Sequence, residues 1–404
     1  MKKYKILILS NDTDGVGYYR LLNPHLYLDL NSSDIECEVR LLYDTNIPLM
    51  KEEFIKKFNL IVFNKSLPIR PEFVPDFISL LSKYNIKLIY DIDDYWILNS
   101  THLNYKSWKK NNSSDIIENT LRLSDHIITT TDLFKDKLKE FNQNIHVVEN
   151  GVNLKEMQWD SNKKQSDKTR FIWGGGISHL HDINLLKEEF KKFDKNFIKN
   201  SQLYLCGFDL RMRTKEGIKM DNPKRSQWGH FESVFTNNLK YIENYEYKKF
   251  LMEYKQDNVN YGRNEEFKDE FYQRRITKPI LLYGTMYNEA DVALAPLKGG
   301  NHQFNYYKSN LKVVEAGAHK MPIIASNYGP YTIDDIEGKN DGKQKGFLID
   351  ENKGNWYEKM KWYQENPEAV KEHGNNLYEH IKENYSMEVL SKKREEIYKK
   401  IIEE

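Results

Sequence analysis

The sequence reads as α/β, with two doubly wound units facing a cleft, on three observations. Short apolar runs of strand length alternate with helix-period segments along most of the chain. The alternation occurs twice, and a polar stretch separates the two series. At 404 residues the chain also exceeds the usual span of a single domain.

In the first series, Tyr4 to Ser10, Glu38 to Tyr43, Leu60 to Asn64, Lys87 to Asp91, His126 to Thr130 and Ile145 to Glu149 are expected as buried strands. Residues 1–155 then form the first domain. Residues 156–169, rich in Asp, Ser, Asn, Lys and Gln, are expected as a linker. The second series runs through Arg170 to Trp173, Gln202 to Cys206, Asp291 to Ala295, Met321 to Ala325 and Gly346 to Ile349. It makes residues 170–385 a second domain, interrupted by a charged, aromatic insertion over 209–275 with helix expected around Phe231 to Tyr254. The tail from Asn355 to Glu404 has an amphipathic helical period. Ligands of such sheets sit beyond the C-terminal ends of the strands, so chemistry is sought in the loops that follow them.

Composition narrows the function classes. There are 61 Lys plus Arg against 60 Asp plus Glu, so bulk charge argues for neither a nucleic-acid coat nor a membrane-surface protein. Two distant cysteines, Cys37 and Cys206, exclude a disulfide framework or a Cys-rich zinc site and fit a reducing cytoplasm. Ile6 to Leu9 follows Lys2-Lys3 but stops at Asn11-Asp12, which suits a strand better than a signal peptide. No apolar stretch approaches the ~20 residues needed to span a bilayer.

Four loops carry candidate chemistry. After the first strand, Gly15-Val16-Gly17-Tyr18-Tyr19-Arg20 offers close backbone approach to a phosphate or sugar, or a plain tight turn; Arg20 stands where a dinucleotide fingerprint has its third glycine. Asp91-Ile92-Asp93-Asp94-Tyr95-Trp96 puts three acids at a strand end beside two aromatics. That cluster suits sugar hydroxyls with ring stacking, a cation, or simple capping of the next turn. In the second unit Gly174-Gly175-Gly176 leaves backbone amides exposed for a diphosphate, followed by His179, His181 and Asp182, which lack a third clear metal ligand. Finally, Ala290 to Leu297 feeds Lys308-Ser309-Asn310-Leu311-Lys312-Val313-Val314-Glu315, where Glu315 lies on an otherwise small, apolar helix face. A carboxylate there suits a pair of vicinal hydroxyls such as a ribose.

Together, in this order and spacing, these segments resemble the GT-B glycosyltransferases of the large retaining group 4 type, closest to a branch encoded by bacteriophages and bacterial surface-polysaccharide clusters. The likeness covers residues 4–385 apart from the insertion. It implies two Rossmann-like domains, a nucleotide-sugar donor (UDP- or GDP-sugar) on the C-terminal domain and an acceptor on the N-terminal one. It also implies a final helix, 386–404, crossing back to the N-terminal domain. On that resemblance Gly15, Gly17, Gly174, Gly175, Gly176, His179, Lys308, Ser309, Asn310, Leu311 and Glu315 are donor-binding, Glu315 through the ribose. Asp93, Asp94 and Lys308 are assigned to the catalytic step, and Tyr18, Arg20 and Trp96 to the acceptor side. No metal and no bound cofactor are implied. The sequence departs from the family's Glu-x7-Glu motif at Tyr307, where the first acid stands, and lacks the usual Arg and Lys of the glycine loop. Lys308 is therefore expected to carry the diphosphate charge, helped by Arg20 or Lys312.

The acceptor is expected to be a saccharide or a hydroxymethylated base in phage DNA, with the enzyme in the host cytoplasm if phage-encoded. Bases over 211–225 and 274–278, among them Arg211, Arg213, Arg274, Arg275 and Lys278, form the candidate contact with duplex DNA. The missing first acid leaves a catalytically silent nucleotide- or glycan-binding protein as the alternative.

Overall fold

The computed structural model describes residues 2–41, 47–100, 102, 104–163, 165–209, 211–214, 217–220, 227–236 and 271–404. They fall into two compact units. The first comprises Met1–Leu154, Asn301–Val314 and Lys382–Glu404, the second Lys155–Gly300 and Glu315–Ile381.

The first unit is built on six parallel strands: β1 (Tyr4–Ser10), β2 (Ile35–Leu41), β3 (Leu60–Phe63), β4 (Lys87–Asp91), β5 (His126–Thr129) and β6 (Ile145–Val147). Their order is β2-β1-β3-β4-β5-β6. Both faces are covered, which is why the strands read as nearly unbroken apolar runs. Leu7, Leu9, Ile61, Phe63, Leu88, Tyr90 and Ile127 pack on one side with Phe77, Leu81 and Phe134. Ile6, Ile8, Leu60, Val62, Ile89 and Ile128 pack on the other with Leu21, Leu28, Leu390, Tyr398 and Ile401. The last three come from the terminal helix Met387–Glu403, which closes that face.

The second unit has β7 (Thr169–Gly174), β8 (Ser201–Phe208), an antiparallel hairpin β9 (Arg211–Thr214) and β10 (Gly217–Met220), then β11 (Tyr272–Ile276), β12 (Val292–Ala295), β13 (Ile323–Ser326) and β14 (Gly346–Ile349). The six-stranded sheet runs β11-β8-β7-β12-β13-β14, all parallel. Helices Trp356–Glu365 and Lys187–Phe190 help seal its core around Phe171, Leu203, Leu294 and Phe347.

Three segments differ from their sequence reading. Tyr272–Ile276, inside the expected insertion, is a strand of the sheet. Its arginines disguised it: Arg274 lies over the Phe208 ring at 4.2 Å and Arg275 over Tyr204 at 4.8 Å, so two charged residues are buried in a strand. The expected linker is partly docked, because Gln158 and Trp159 are buried in the second unit and Gln158 Oε1 accepts from the Gly284 amide at 3.2 Å. The insertion carries the hairpin β9–β10, which the pattern did not indicate, and a helix Gln227–Thr236 that overlaps the start of the one expected over Phe231 to Tyr254; residues 237–270 lie outside the described residues. No helix among the described residues is long and apolar enough to cross a membrane.

Candidate functional site

In each sheet the strand order reverses direction at its first strand, between β1 and β3 in one unit and between β7 and β12 in the other. Loops diverge there, and that is where open α/β sheets take ligands.

At the first switch point, Gly15 adopts φ +42° with open space above its Cα, and Gly17 is pressed against the chain. A Cβ on Gly17 would fall 2.1 Å from the Asp12 carbonyl oxygen. The Gly17 amide donates to Asp12 Oδ1 at 2.9 Å, and Lys65 pairs with the other oxygen of Asp12. This loop is therefore a tight turn whose helix-opening amide is already taken by a carboxylate. The π-helical turn Gly17–Leu22 that follows buries Tyr18, Tyr19 and Arg20.

Arg20 was expected on the acceptor side or as a helper for the diphosphate charge, and its buried position offers it to neither. It is fully buried and gives Nε and Nη2 to the two oxygens of Asp91, at 2.7 and 3.0 Å. Its Nη1 donates to Val148 O at 2.7 Å and to Asn150 Oδ1 at 3.0 Å. Desolvating an arginine and an aspartate is tolerable only because the pair is bidentate and its remaining hydrogen-bonding groups are occupied. Of the three acids, then, Asp91 is structural. Asp93 is half-buried and Asp94 exposed. Burial, and then the neighbouring Asp94 charge, hold the Asp93 carboxyl well above the usual carboxylate range, against the opposing pull of Arg20 and Lys65.

Trp96 is a second correction. It is 1 % exposed, its Nε1 donates to Glu118 at 3.2 Å, and it packs on Phe141 and Phe134, so it is core and offers no face to a sugar. Tyr18 is likewise buried, edge-on to Tyr19.

The segment Asn301–Val314 belongs to the first unit. Tyr307, at the position of the missing acid, stacks on Phe134 and leans on Tyr95, whose hydroxyl donates to Gln303 at 3.2 Å. Tyr307 is thus an aromatic anchor within the first unit. Lys308 stands over the Phe304 ring at 4.8 Å. Ser309 Oγ accepts from Asn150 Nδ2 at 2.9 Å, Asn310 is buried, and Leu311 opens the helix Leu311–Ala318.

In the second unit, Gly174 ends β7 facing the hydroxyls of Tyr287 and Tyr283, at 3.7 and 3.8 Å from an ideal Cβ position. Gly175 is packed under Trp173, and Gly176 is exposed, with Ser178 Oγ 4.0 Å from an ideal Cβ position. Glu315 is 1 % exposed and accepts from the Tyr287 hydroxyl at 2.7 Å. Tyr287 thus brings the glycine loop and the helix carboxylate together, and no periodicity in Ile280–Glu289 announced it. His179 is oriented by Asp182, Nδ1 to Oδ2 at 2.7 Å, and the other Asp182 oxygen accepts from the Lys298 amide at 2.8 Å. Asp182 is fully buried, so the His–Asp pair ties the loop after β7 to the loop after β12. Among the described residues no group of three or more His, Cys, Asp or Glu could hold a metal ion.

Of the basic residues considered for DNA, Arg274 and Arg275 are buried and Arg275 Nε is paired with Glu289 at 2.6 Å, so they present no surface to a phosphate. Lys215, Lys224 and Arg225 lie outside the described residues.

No protein-family model and no curated protein sequence matches the chain. Solved structures do match in fold. Sucrose-phosphate synthase from Thermosynechococcus elongatus superposes over 99 % of both chains with 14 % identity and a TM-score of 0.62. HepE of Anabaena, captured with UDP and glucose, matches over 97 % of this chain and 98 % of its own, at 10 % identity and TM-score 0.60. An alpha-glucosyltransferase in complex with UDP matches over 98 % and 100 %, at 13 % identity and TM-score 0.59. At these identities the likeness is one of fold: two mostly parallel, helix-flanked Rossmann-like units of GT-B type.

Proposed function

We propose that this chain is a glycosyltransferase that moves a sugar from a nucleotide-sugar donor to an acceptor hydroxyl. The observation that carries the reading is Glu315. It is a buried carboxylate on a helix of small apolar residues, oriented by the Tyr287 hydroxyl beside the Gly174 backbone at the end of β7, where an α/β sheet takes its ligand. Carboxylate oxygens accept from vicinal hydroxyls, and a ribose supplies two. UDP stands in solved structures of the same fold, which supports a UDP-sugar as the first donor to try.

Lys308 supplies the charge for the diphosphate, with Ser309 and the start of the helix at Leu311 as further donors. In the front-face, retaining route the resemblance implies, the acceptor oxygen bonds to the anomeric carbon on the side from which the diphosphate leaves. The C–O bond to the phosphate breaks, its electron pair goes to the diphosphate, and a diphosphate oxygen takes the acceptor's proton. No protein nucleophile and no metal are needed, since Lys308 and the helix start neutralise the leaving group. Asp93 and Asp94, at the end of β4, orient acceptor hydroxyls. Burial of Arg274 and Arg275 removes basic surface from the DNA reading and tips the acceptor toward a saccharide.

The test is a panel of nucleotide sugars scored for binding and for slow donor hydrolysis, followed by saccharides and hydroxymethylated DNA as acceptors. Glu315→Ala is expected to weaken donor binding by roughly 10- to 100-fold, the range for losing hydrogen bonds to a charged group. A panel in which no donor binds, with Glu315→Ala indistinguishable from wild type, refutes the reading.

A further inference from the structure

Asn150 lies in the loop that follows β6, is 2 % exposed, and plays no part in the function as so far described. Its position is fixed from behind. The Val152 amide donates to Tyr385 O at 3.1 Å and the Met387 amide to Val152 O at 2.8 Å, while a Cβ on Gly151 would meet Leu390 Cδ1 at 2.5 Å. In front, the side chain bridges two groups: Arg20 Nη1 donates to its Oδ1 at 3.0 Å, and its Nδ2 donates to Ser309 Oγ at 2.9 Å.

This chain of hydrogen bonds has a direction. A guanidinium only donates, so the oxygen of the Asn150 amide must face Arg20 and the nitrogen must face Ser309. The orientation of Arg20 is itself locked by its bidentate hold on Asp91. A lone pair of Ser309 is therefore occupied by an N–H, and its own hydroxyl hydrogen has to point away from Asn150. A serine so held is preset as a donor and matches a ligand that can only accept, and a phosphate oxygen is such a group. Charge at the Arg20 end polarises the bonds in the same sense.

We propose that Asn150 is a positioning residue, which through the one-way chain Arg20 to Asn150 to Ser309 presets the Ser309 hydroxyl to donate to a phosphate oxygen of the bound nucleotide. This rests on the donor reading above. It adds that the discrimination for phosphate is wired from a buried ion pair in the first unit, beyond the residues that touch the ligand.

The experiment is calorimetric titration of the full chain with UDP and, as a probe without phosphate, uridine. Ser309→Ala is expected to cost about tenfold in UDP affinity while leaving uridine affinity unchanged, and Ser309→Thr, which keeps a hydroxyl, retains most of the UDP affinity. Asn150→Asp reverses the polarity, because a carboxylate would take the Ser309 hydrogen for itself; it is expected to match Ser309→Ala. Asn150→Ala frees the hydroxyl to rotate and costs less than Asn150→Asp. A residue that merely supported the fold would show the opposite ranking and would lower uridine affinity too. On a Ser309→Ala background Asn150→Asp adds nothing; a further loss there is charge repulsion and overturns the relay. UDP binding unaltered by Asn150→Asp and Ser309→Ala overturns the inference alone, whereas failure of wild type to bind UDP removes the UDP-donor reading and the inference with it.

Discussion

At Asp93 the protein holds a carboxyl group where ionisation is opposed by burial and by the charge of Asp94. A carboxyl whose pKa is raised on folding contributes its full stability below the unfolded value, about 4, and loses it as pH rises through the folded value. Asp93→Asn is therefore expected to raise the urea midpoint at pH 8 and to leave it unchanged at pH 3.5, while lowering transfer activity if the carboxyl orients the acceptor. An unfolding midpoint at pH 8 that does not rise contradicts the strained-carboxyl account. Gly17 makes a different kind of residue-level demand. With a Cβ only 2.1 Å from a main-chain oxygen, Gly17→Ala has to move backbone, and a loss of about 2 kcal/mol in urea unfolding is expected. Cys37, by contrast, is held as a neutral thiol: burial pushes it up to about 12. Residue roles were the least legible part of the sequence. Arg20 and Trp96 sit in motifs that read as ligand-facing, yet one is saturated by Asp91, Val148 and Asn150 and the other is packed into the core. A one-dimensional pattern gives the strand on which a side chain sits and its neighbours in sequence; it does not give the partner 71 residues away that decides whether an arginine is spoken for.

Elements were far more legible, because apolar runs between helix-period stretches leave few alternatives. β1, β4 and β14 have the bounds that the pattern indicated, the other strands it indicated differ by a few residues at their ends, and β9, β10 and β11 were not indicated. β11 was hidden because its burial is bought with cation–π contacts and the Arg275–Glu289 pair instead of apolar side chains. The terminal helix Met387–Glu403 makes the clearest energetic prediction at this scale. Tyr398 is fully buried against His25, whose Nε2 lies 2.7 Å from the tyrosine hydroxyl. Tyr398→Ala is expected to destabilise the protein by about 3–5 kcal/mol, and Tyr398→Phe by about 1 kcal/mol, both read from denaturant midpoints. Equal effects of the two substitutions would mean that the ring's packing contributes little to holding the helix on the sheet.

Across the whole molecule, buried and half-buried histidines set the response to acid. Burial holds His25 well below its ordinary value, and it brings His146 down to about 4 and His319 to about 3. Each stays neutral in the folded chain while the unfolded chain takes up a proton near pH 6.5, so stability is present above that value and falls as pH drops through 6 and 5. Asp93 opposes this with one proton in the other direction. The three histidines outweigh it, and the urea midpoint is expected to fall steadily between pH 7 and pH 5. The proposed function has the switch-point loops of this GT-B-type fold bind and use a nucleotide sugar. The most direct measurement is titration of wild type and Glu315→Ala with UDP, paired with product analysis after incubation with UDP-sugars. Saturable UDP binding is expected, weakened roughly 10- to 100-fold by the substitution, with release of UDP from at least one donor. No binding and no turnover across UDP- and GDP-sugars, identical in the two proteins, would contradict it.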